Sequence, residues 1–293
     1  MHYCDFPIKS LTLGDKSYPE ELAKIKNPPK TLFVRGKLKR SVLKKTIAIV
    51  GSRRMTRYGK DVVDKFVAAF SAEGVTTVSG FMYGVDTEVH QKTLDYGGCT
   101  VTVFGCGLDI VYPPENQRLY TEILERGGLA LSEYEPNAKP HLWKFPQRNR
   151  IVAGLATLGV LIIEAGEKSG SLITAHLARK MDKKVFAVPG AITSTNSQGT
   201  NQLIKEGTAK IVTDPSDILG NRRHFARASE DKRAGLSPLE EEIWKALEVE
   251  GMSIDELAVH LGKSVVEISQ KVTMMSISGK LTESGGKIYL LKK

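Results

Sequence analysis

From Thr46 to Val212 the chain alternates short runs of β-branched and other apolar residues with longer stretches in which apolar residues recur every three or four positions. The short runs are TIAIV (46–50), VTTVS (75–79), TVTVF (100–104), LALSE (129–133), GVLII (159–163), KVFAV (184–188) and KIVTD (210–214). Between the first two lies DVVDKFVAAFSAEG, whose apolar positions near 62, 63, 66, 67 and 70 share a helical face and whose Gly74 closes the helix. Strands that are apolar at nearly every position are buried on both faces, and the helices between them supply the two covers. The pattern predicts an α/β fold with a Rossmann-like, doubly wound, mostly parallel sheet over residues 46–220. Residues 1–45 predict a short helix, a break at Pro28-Pro29 and a strand, an N-terminal extension packed on that core. Residues 221–235 are polar and lack an apolar period, so they read as a linker. Residues 236–293 predict three helices and a terminal hairpin turning at Gly285-Gly286, with Ser253 and Glu256 spaced as a capping box. That order is a C-terminal winged-helix domain.

A chain of 293 residues with 41% hydrophobic and 26% charged residues has the composition of an ordinary globular protein. The start, MHYCDFPIKS, lacks the charged-then-apolar pattern of a signal segment, and the longest apolar stretch, near 151–163, is too short to span a bilayer. Cys4, Cys99 and Cys106 fall at no metal-ligand spacing, which points to reduced thiols and a cytoplasmic location. Cys99 and Cys106 read as small residues flanking a buried strand. The net charge of +9 is unevenly spread: residues 236–293 hold 7 Lys/Arg and 9 Asp/Glu, leaving 35 basic and 24 acidic residues in positions 1–235. A polyanion would therefore bind outside the C-terminal segment.

Open α/β sheets bind ligands beyond the carboxyl ends of their strands, so the loops there carry the functional reading. The first strand ends in VGSRRMTRYG, where Gly51 and Ser52 allow close backbone approach and Arg53 and Arg54 follow at once. This is not the G-x-G-x-x-G of a dinucleotide site, so NAD and FAD are rejected and no cofactor is expected. The second strand ends in SGFMYGVDTEVH, which sets Asp86 and His90 four apart on a helix. Two ligands make a poor metal site and no nucleophile accompanies them, so a buried Asp86–His90 hydrogen bond is expected, with neither metal nor catalysis. The fifth strand ends in EAGEKSGSLITA, where Ser169, Gly170 and Ser171 open a helix with free backbone N–H groups and an apolar face of Leu172, Ile173 and Leu177. The sixth ends in VPGAITSTNSQGTNQLI, another Gly/Ser/Thr/Asn-rich loop, which includes Asn201.

Rims of this kind around arginines, with Phe145 beside them, suit phosphates and a stacked base worth about 1–3 kcal/mol. One helix looks wrong for its own dipole. After Phe145-Pro146 it is expected to open with Arg148, Asn149 and Arg150, where each cation costs about 0.3–1 kcal/mol. A phosphate at that terminus would reverse the sign. Residues two apart on a helix lie about 200° apart, so one arginine is expected to face the ligand and the other to brace the loop through an acid pair.

With GSR at 51–53, SGFMYGVDTEVH at 79–90, FPQRNRIVAGL at 145–155, EAGEKSGSLITA at 164–175, VPG at 188–190 and GTNQLI at 199–204, the chain resembles the DNA-processing protein A (DprA/Smf) family. The resemblance implies an extended Rossmann core that binds single-stranded DNA, hands it to the RecA recombinase in transformation or repair, self-associates as a homodimer through that core, and has no catalytic activity. It implies a DNA pocket of Gly51, Ser52, Arg53, Lys144, Phe145, Arg148 to Arg150, and Ser169 to Ser171. Met82 stands where the family usually has Ala, and Leu142 where it usually has a basic residue, with Lys144 or Lys139 as the replacement. Only about 45 residues precede the first core strand, where many members carry a further helical domain. The acidic balance of the winged helix favours a protein contact over DNA reading.

Two other readings compete. A nucleoside-monophosphate hydrolase on a related core would carry a P-G-G-x-G-T loop, and EAGEKSGSL lacks it. A winged-helix transcription regulator would need a basic recognition helix, and VVEISQKVTMMSISGK contributes only Lys271 and Lys280.

Overall fold

The computed structural model describes residues 3–220, 236–249, 251–278, 280–284 and 286–290. The chain divides into two compact units, Met1–Gly220 and Asn221–Lys293. The first contains, in order, β1 (Ile8–Thr12), α1 (Glu20–Ala23), β2 (Thr31–Gly36), α2 (Arg40–Lys44), β3 (Thr46–Val50), α3 (Arg57–Ala72), β4 (Thr76–Ser79), α4 (Val85–Asp95) and β5 (Thr100–Val103). It continues with α5 (Gln117–Glu125), β6 (Leu129–Ser132), α6 (Lys144–Leu155), β7 (Gly159–Ile162), α7 (Gly170–Lys180), β8 (Val185–Ala187), α8 (Gln198–Lys205), β9 (Lys210–Ile211) and α9 (Ser216–Leu219).

The sheet order is β1-β2-β6-β5-β4-β3-β7-β8-β9. The seven strands from β6 to β9 are parallel, and β2 and β1 extend the β6 edge antiparallel. The chain builds outward from β3 through β4 and β5 to β6, then returns to place β7 on the other side of β3. That reversal is the topological switch point, where α/β sheets open a crevice.

The alternation of strand side chains splits the core between the faces. Ile47 and Ile49 of β3 pack with Phe66, Phe70 and Val89 from α3 and α4. Ala48 and Val50 of the same strand pack with Ile151, Val152 and Ala175 from α6 and α7. Fully burying a Phe such as Phe66 or Phe70 contributes about 1.5–3 kcal/mol. β3 thus lacks a polar face because both of its sides are covered.

Residues 1–45 do more than pack on the core, because β2 is a member of the sheet and pairs with β6 from Phe33↔Ser132 to Gly36↔Leu129. Strand β1 escaped the pattern because its two partly buried apolar residues, Ile8 and Leu11, are three apart rather than two. The KIVTD run shortens to Lys210–Ile211, since Asp217 accepts hydrogen bonds from the backbone N–H of Thr213 and Asp214 and bends the chain there.

In the second unit, helices Pro238–Val249, Ile254–Leu261 and Val265–Ile277 precede the antiparallel pair β10 (Leu281–Ser284) and β11 (Lys287–Leu290). Met252 bridges Ile288, giving the element order of a winged helix. Its core is built on Ile243, Trp244, Leu257, Ile268, Met275 and Ile288. The Ser253–Glu256 capping box forms, with Glu256 N–H donating to Ser253 Oγ at 3.1 Å and Ser253 N–H to the Glu256 carboxylate at 2.8 Å. The expected linker, 221–235, and Gly285 lie outside the described residues. No described helix is long and apolar enough to cross a membrane.

Candidate functional site

A cleft of about 570 Å³ opens at the switch point, between the loops that follow β3, β4 and β7 and the N-terminal turns of α6 and α7. Gly51 sits where a Cβ would lie 2.6 Å from Val85 Cγ2 and 3.1 Å from the Glu164 carbonyl, so only glycine lets the first loop leave the sheet there. The Ser52 hydroxyl accepts from Arg54 N–H at 3.0 Å, and the Ser52 carbonyl accepts from Val85 N–H at the start of α4 at 3.1 Å. This fixes the loop with the Arg53 and Arg54 side chains exposed on the cleft rim. Asn196, from the loop after β8, donates to the Arg54 carbonyl at 2.8 Å.

The α3 N-terminus is already served from within. Thr56 caps the helix, and its N–H and hydroxyl donate to the Glu164 carboxylate at 2.9 and 2.5 Å. A buried carboxylate at the positive end of a helix dipole leaves no call for an outside anion. The α7 N-terminus is different. Ser169 caps it, Ser169 Oγ and Ser171 Oγ are 2.7 Å apart, and a Cβ on Gly170 would meet nothing within 4 Å. Lys168 is exposed beside it. The expected apolar face of α7 is half right: Leu172 and Leu177 are partly buried, but Ile173 is exposed on the cleft, and Ala175 and Ala178 make the inward contact.

The two arginines of α6 divide as expected, but the helix start differs and Arg148 is held by carbonyl oxygens. The helix begins at Lys144, not Arg148, with Pro146 in its first turn, so neither arginine stands among the free N–H groups of the terminus. Arg148 is only 3% exposed and donates to the carbonyls of Gly80 and Val103, at the carboxyl ends of β4 and β5. Burial pushes its pKa down to about 10 while the Asp86 charge opposes the fall, so it is cationic at neutral pH. Arg150, on the opposite side of α6, closes a two-pronged pair with Glu133 at 2.6 and 2.7 Å and donates to the Asn27 carbonyl at 3.0 Å. Arg148 is therefore the arginine on the cleft, and Arg150 braces through an acid pair.

Asp86 and His90 do not bond to each other. Asp86 Oδ2 accepts from Met82 N–H at 3.2 Å, and His90 Nδ1 pairs with Thr100 Oγ1 at 2.7 Å, so each finds its partner outside α4, one in the preceding loop and the other on β5. Burial raises the Asp86 carboxyl pKa and holds that of His90 down to about 3, so the imidazole is neutral. Between β4 and α4, Phe81 adopts a positive φ of 61° to turn its ring into a cluster with Phe104 and Tyr120, and Gly84 (φ 71°) passes so close to the Ser52 carbonyl that no Cβ fits.

Phe145 lines the cleft but is only 7% exposed. The Arg53 guanidinium lies 5.8 Å above its ring, and Tyr112 packs at 5.6 Å. Asn149 lines the cleft and donates to the Gly170 carbonyl at 3.3 Å. Two expected contacts stand elsewhere. Lys144 is buried, donates to the Lys139 carbonyl at 2.7 Å and packs on the rings of Tyr134 and Trp143, satisfied away from the cleft. Asn201 clamps the turn after β8 by exchanging hydrogen bonds with the Gly190 backbone at 3.0 and 3.1 Å. Sequence reading missed Tyr83, Lys168, Thr174 and Asn196, all of which line the cleft. Asn196 lies in a loop already marked by its composition, but nothing distinguishes it from its neighbours there. Among the described residues no group of three or more His, Cys, Asp and Glu could hold a metal ion.

The sequence profile of the DNA recombination-mediator protein A family matches residues 9–223. The chain is 41% identical over 210 residues to the DNA processing protein DprA of Streptococcus pneumoniae, covering 72% of this chain and 73% of that protein. It is 39% identical over 204 residues to the protein Smf of Escherichia coli, covering 70% of this chain and 54% of that one. The X-ray structure of the S. pneumoniae protein gives a TM-score of 0.68 and covers 75% of each chain. A structure of DNA processing protein A from Helicobacter pylori, described for its single-stranded DNA binding mode, gives 0.66 at 32% identity, covering 75% of this chain and 97% of that one. By its motifs, its fold and these matches, the chain belongs to the DNA recombination-mediator protein A (DprA/Smf) family.

Proposed function

We propose that the cleft binds single-stranded DNA through its phosphates and without reading bases, and that the chain works as a recombination mediator that delivers the strand to the RecA recombinase. The observation that carries this is the pairing of Arg53 and Arg54, exposed on the rim, with the open α7 N-terminus across the same cleft. Cations and the positive end of a helix dipole both favour a phosphate, and neither requires a particular base. Arg148 supports the rim from below, holding Gly80 and the end of β5 in place rather than competing for the ligand. The site residues we assign are Gly51 to Arg54, Phe145, Asn149 and Ser169 to Ser171, with Arg148 as their internal brace. On this reading the role of the cleft is binding rather than catalysis, residues 46–220 carry the DNA, 221–235 link, 236–293 contact a protein, and the chain acts as a cytoplasmic homodimer.

The test is binding of fluorescent oligo-dT and a matching duplex across a salt series, with intact protein and Arg53→Ala. The expected result is a preference for the single strand and a steep salt slope, shallower by about 0.7 in the variant, the share of one phosphate contact. Equal binding of the duplex that survives Arg53→Ala would remove the cleft from the DNA interface.

A further inference from the structure

A second groove, about 720 Å³, shares α6 and α7 with the cleft and is lined by five basic side chains, Lys24, Lys26, Arg150, Lys180 and Lys183, against two acidic ones, Glu21 and Asp182. Three of the five are engaged. Lys24 pairs with Glu21 at 2.6 Å, Arg150 with Glu133 at 2.6 Å, and Lys183 pairs with Glu21 at 3.5 Å while donating to the Gly154 and Ala156 carbonyls at the end of α6. Lys26 and Lys180 are exposed, and among the described residues neither has an ion pair or a hydrogen-bonded side-chain partner. The groove thus presents Lys26 and Lys180 as unpaired cations, with Asp182 the one exposed acid beside them and Glu21 already shared between Lys24 and Lys183.

The α7 helix joins the two depressions. Its first turns, with Ile173 and Thr174, line the cleft, and its last turn, with Leu177 and Lys180, lines the groove. Ile173, His176, Leu177 and Lys180 fall on one face by the 3.6-residue period, and the rise from Ile173 to Lys180 is about 10 Å. Ile173, His176 and Lys180 are exposed. Asn149 and Arg150, adjacent on α6, likewise face one depression each. An extended polyanion leaving the cleft along this face therefore reaches cations again within a few phosphates.

We infer that the groove between α1, α6 and α7 is a second phosphate subsite for the same single strand, with Lys26 and Lys180 as its contacts. The inference rests on the cleft reading above and extends the DNA path beyond it. Strand length separates the two. Oligo-dT of about 6 nucleotides fills the cleft alone, whereas one of about 20 exceeds the reach of both sites. For Lys26→Ala/Lys180→Ala, the expected result is unchanged binding of the short oligonucleotide. The long one should bind about tenfold more weakly at 0.1 M salt, with a slope shallower by about 1.4, the share of two phosphates. Lys9→Ala/Lys30→Ala, which removes equal charge from exposed positions near the β1–β2 edge, should leave both unchanged. If both oligonucleotides bind the intact chain and the Lys26/Lys180 variant alters neither, or weakens both equally, the second subsite falls and the cleft stands. If the intact chain binds neither, the cleft reading fails and takes the subsite with it.

Discussion

Arg148 is a cation whose partners are carbonyl oxygens. The carboxyl ends of β4 and β5 present Gly80 and Val103 oxygens beyond their last ladder bonds, and the guanidinium fills both from a helix of the opposite layer. Five donors in a rigid fork suit this arrangement, and a lysine could not span both oxygens. Truncation would bury two unpaired acceptors beside the Asp86 carboxyl. Arg148→Ala should therefore lower unfolding stability by about 3 kcal/mol, read as an earlier urea midpoint with unchanged slope. Arg54→Ala, on an exposed side chain, should stay within about 0.5 kcal/mol of the parent. An Arg148→Ala midpoint equal to the parent's would show that Gly80 and Val103 find other donors. Any loss of DNA binding in that variant must be weighed against its stability, which is why Arg53 is the better probe of the ligand.

Two helices start at the cleft mouth with opposite provisions, and the contrast predicts how their flanking glycines behave. The α3 start is closed by Glu164, whereas the α7 start is left open around Gly170. Gly170→Ala adds a methyl group to free space at the first helical position, so stability should move by no more than about 0.5 kcal/mol while oligo-dT affinity falls, because the methyl group occupies the approach to the terminal N–H groups. Gly84→Ala forces a positive φ on alanine, costing about 1–2 kcal/mol before its clash with Ser52 is counted. A thermal melt and a binding isotherm on each variant check the pair: Gly170→Ala should change binding without stability, Gly84→Ala should change stability first. Much of this level was legible in the sequence. The seven β-branched runs became strands because burial on both faces imposes one composition, and Ser169 and Ser253 became caps because their side chains bond the first turn. What could not be read was direction. Lys144, Asn201 and Arg150 stand in the right motifs but turn to Lys139, Gly190 and Glu133, partners that only the fold brings near. The α6 start was misjudged because Pro146 looked like a boundary, whereas proline is at home within a first turn, where its missing N–H costs nothing.

Over the whole molecule, the charge is divided unevenly between the two units. A chain ending at Gly220 carries 30 basic and 22 acidic residues, while residues 236–293 are net acidic. If the strand lies on the first unit, that shortened chain should bind oligo-dT within about threefold of the full chain at equal salt, measured by anisotropy titration. A loss well beyond that would move DNA contacts into residues 221–293.

The pairing of β2 with β6 has a consequence for the order in which the molecule is completed. Leu32, Phe33 and Val34 leave the ribosome early, yet the strand that covers their inner edge begins at Leu129. At synthesis rates of 5–20 residues per second, the about 90 residues between them take roughly 5–20 s. For that interval β2 can pair only with β1, as a hairpin with one bare edge. The β1–β2 pair must therefore wait for β6 before it can dock, and an apolar edge waiting that long is where a nascent chain of this fold most needs protection.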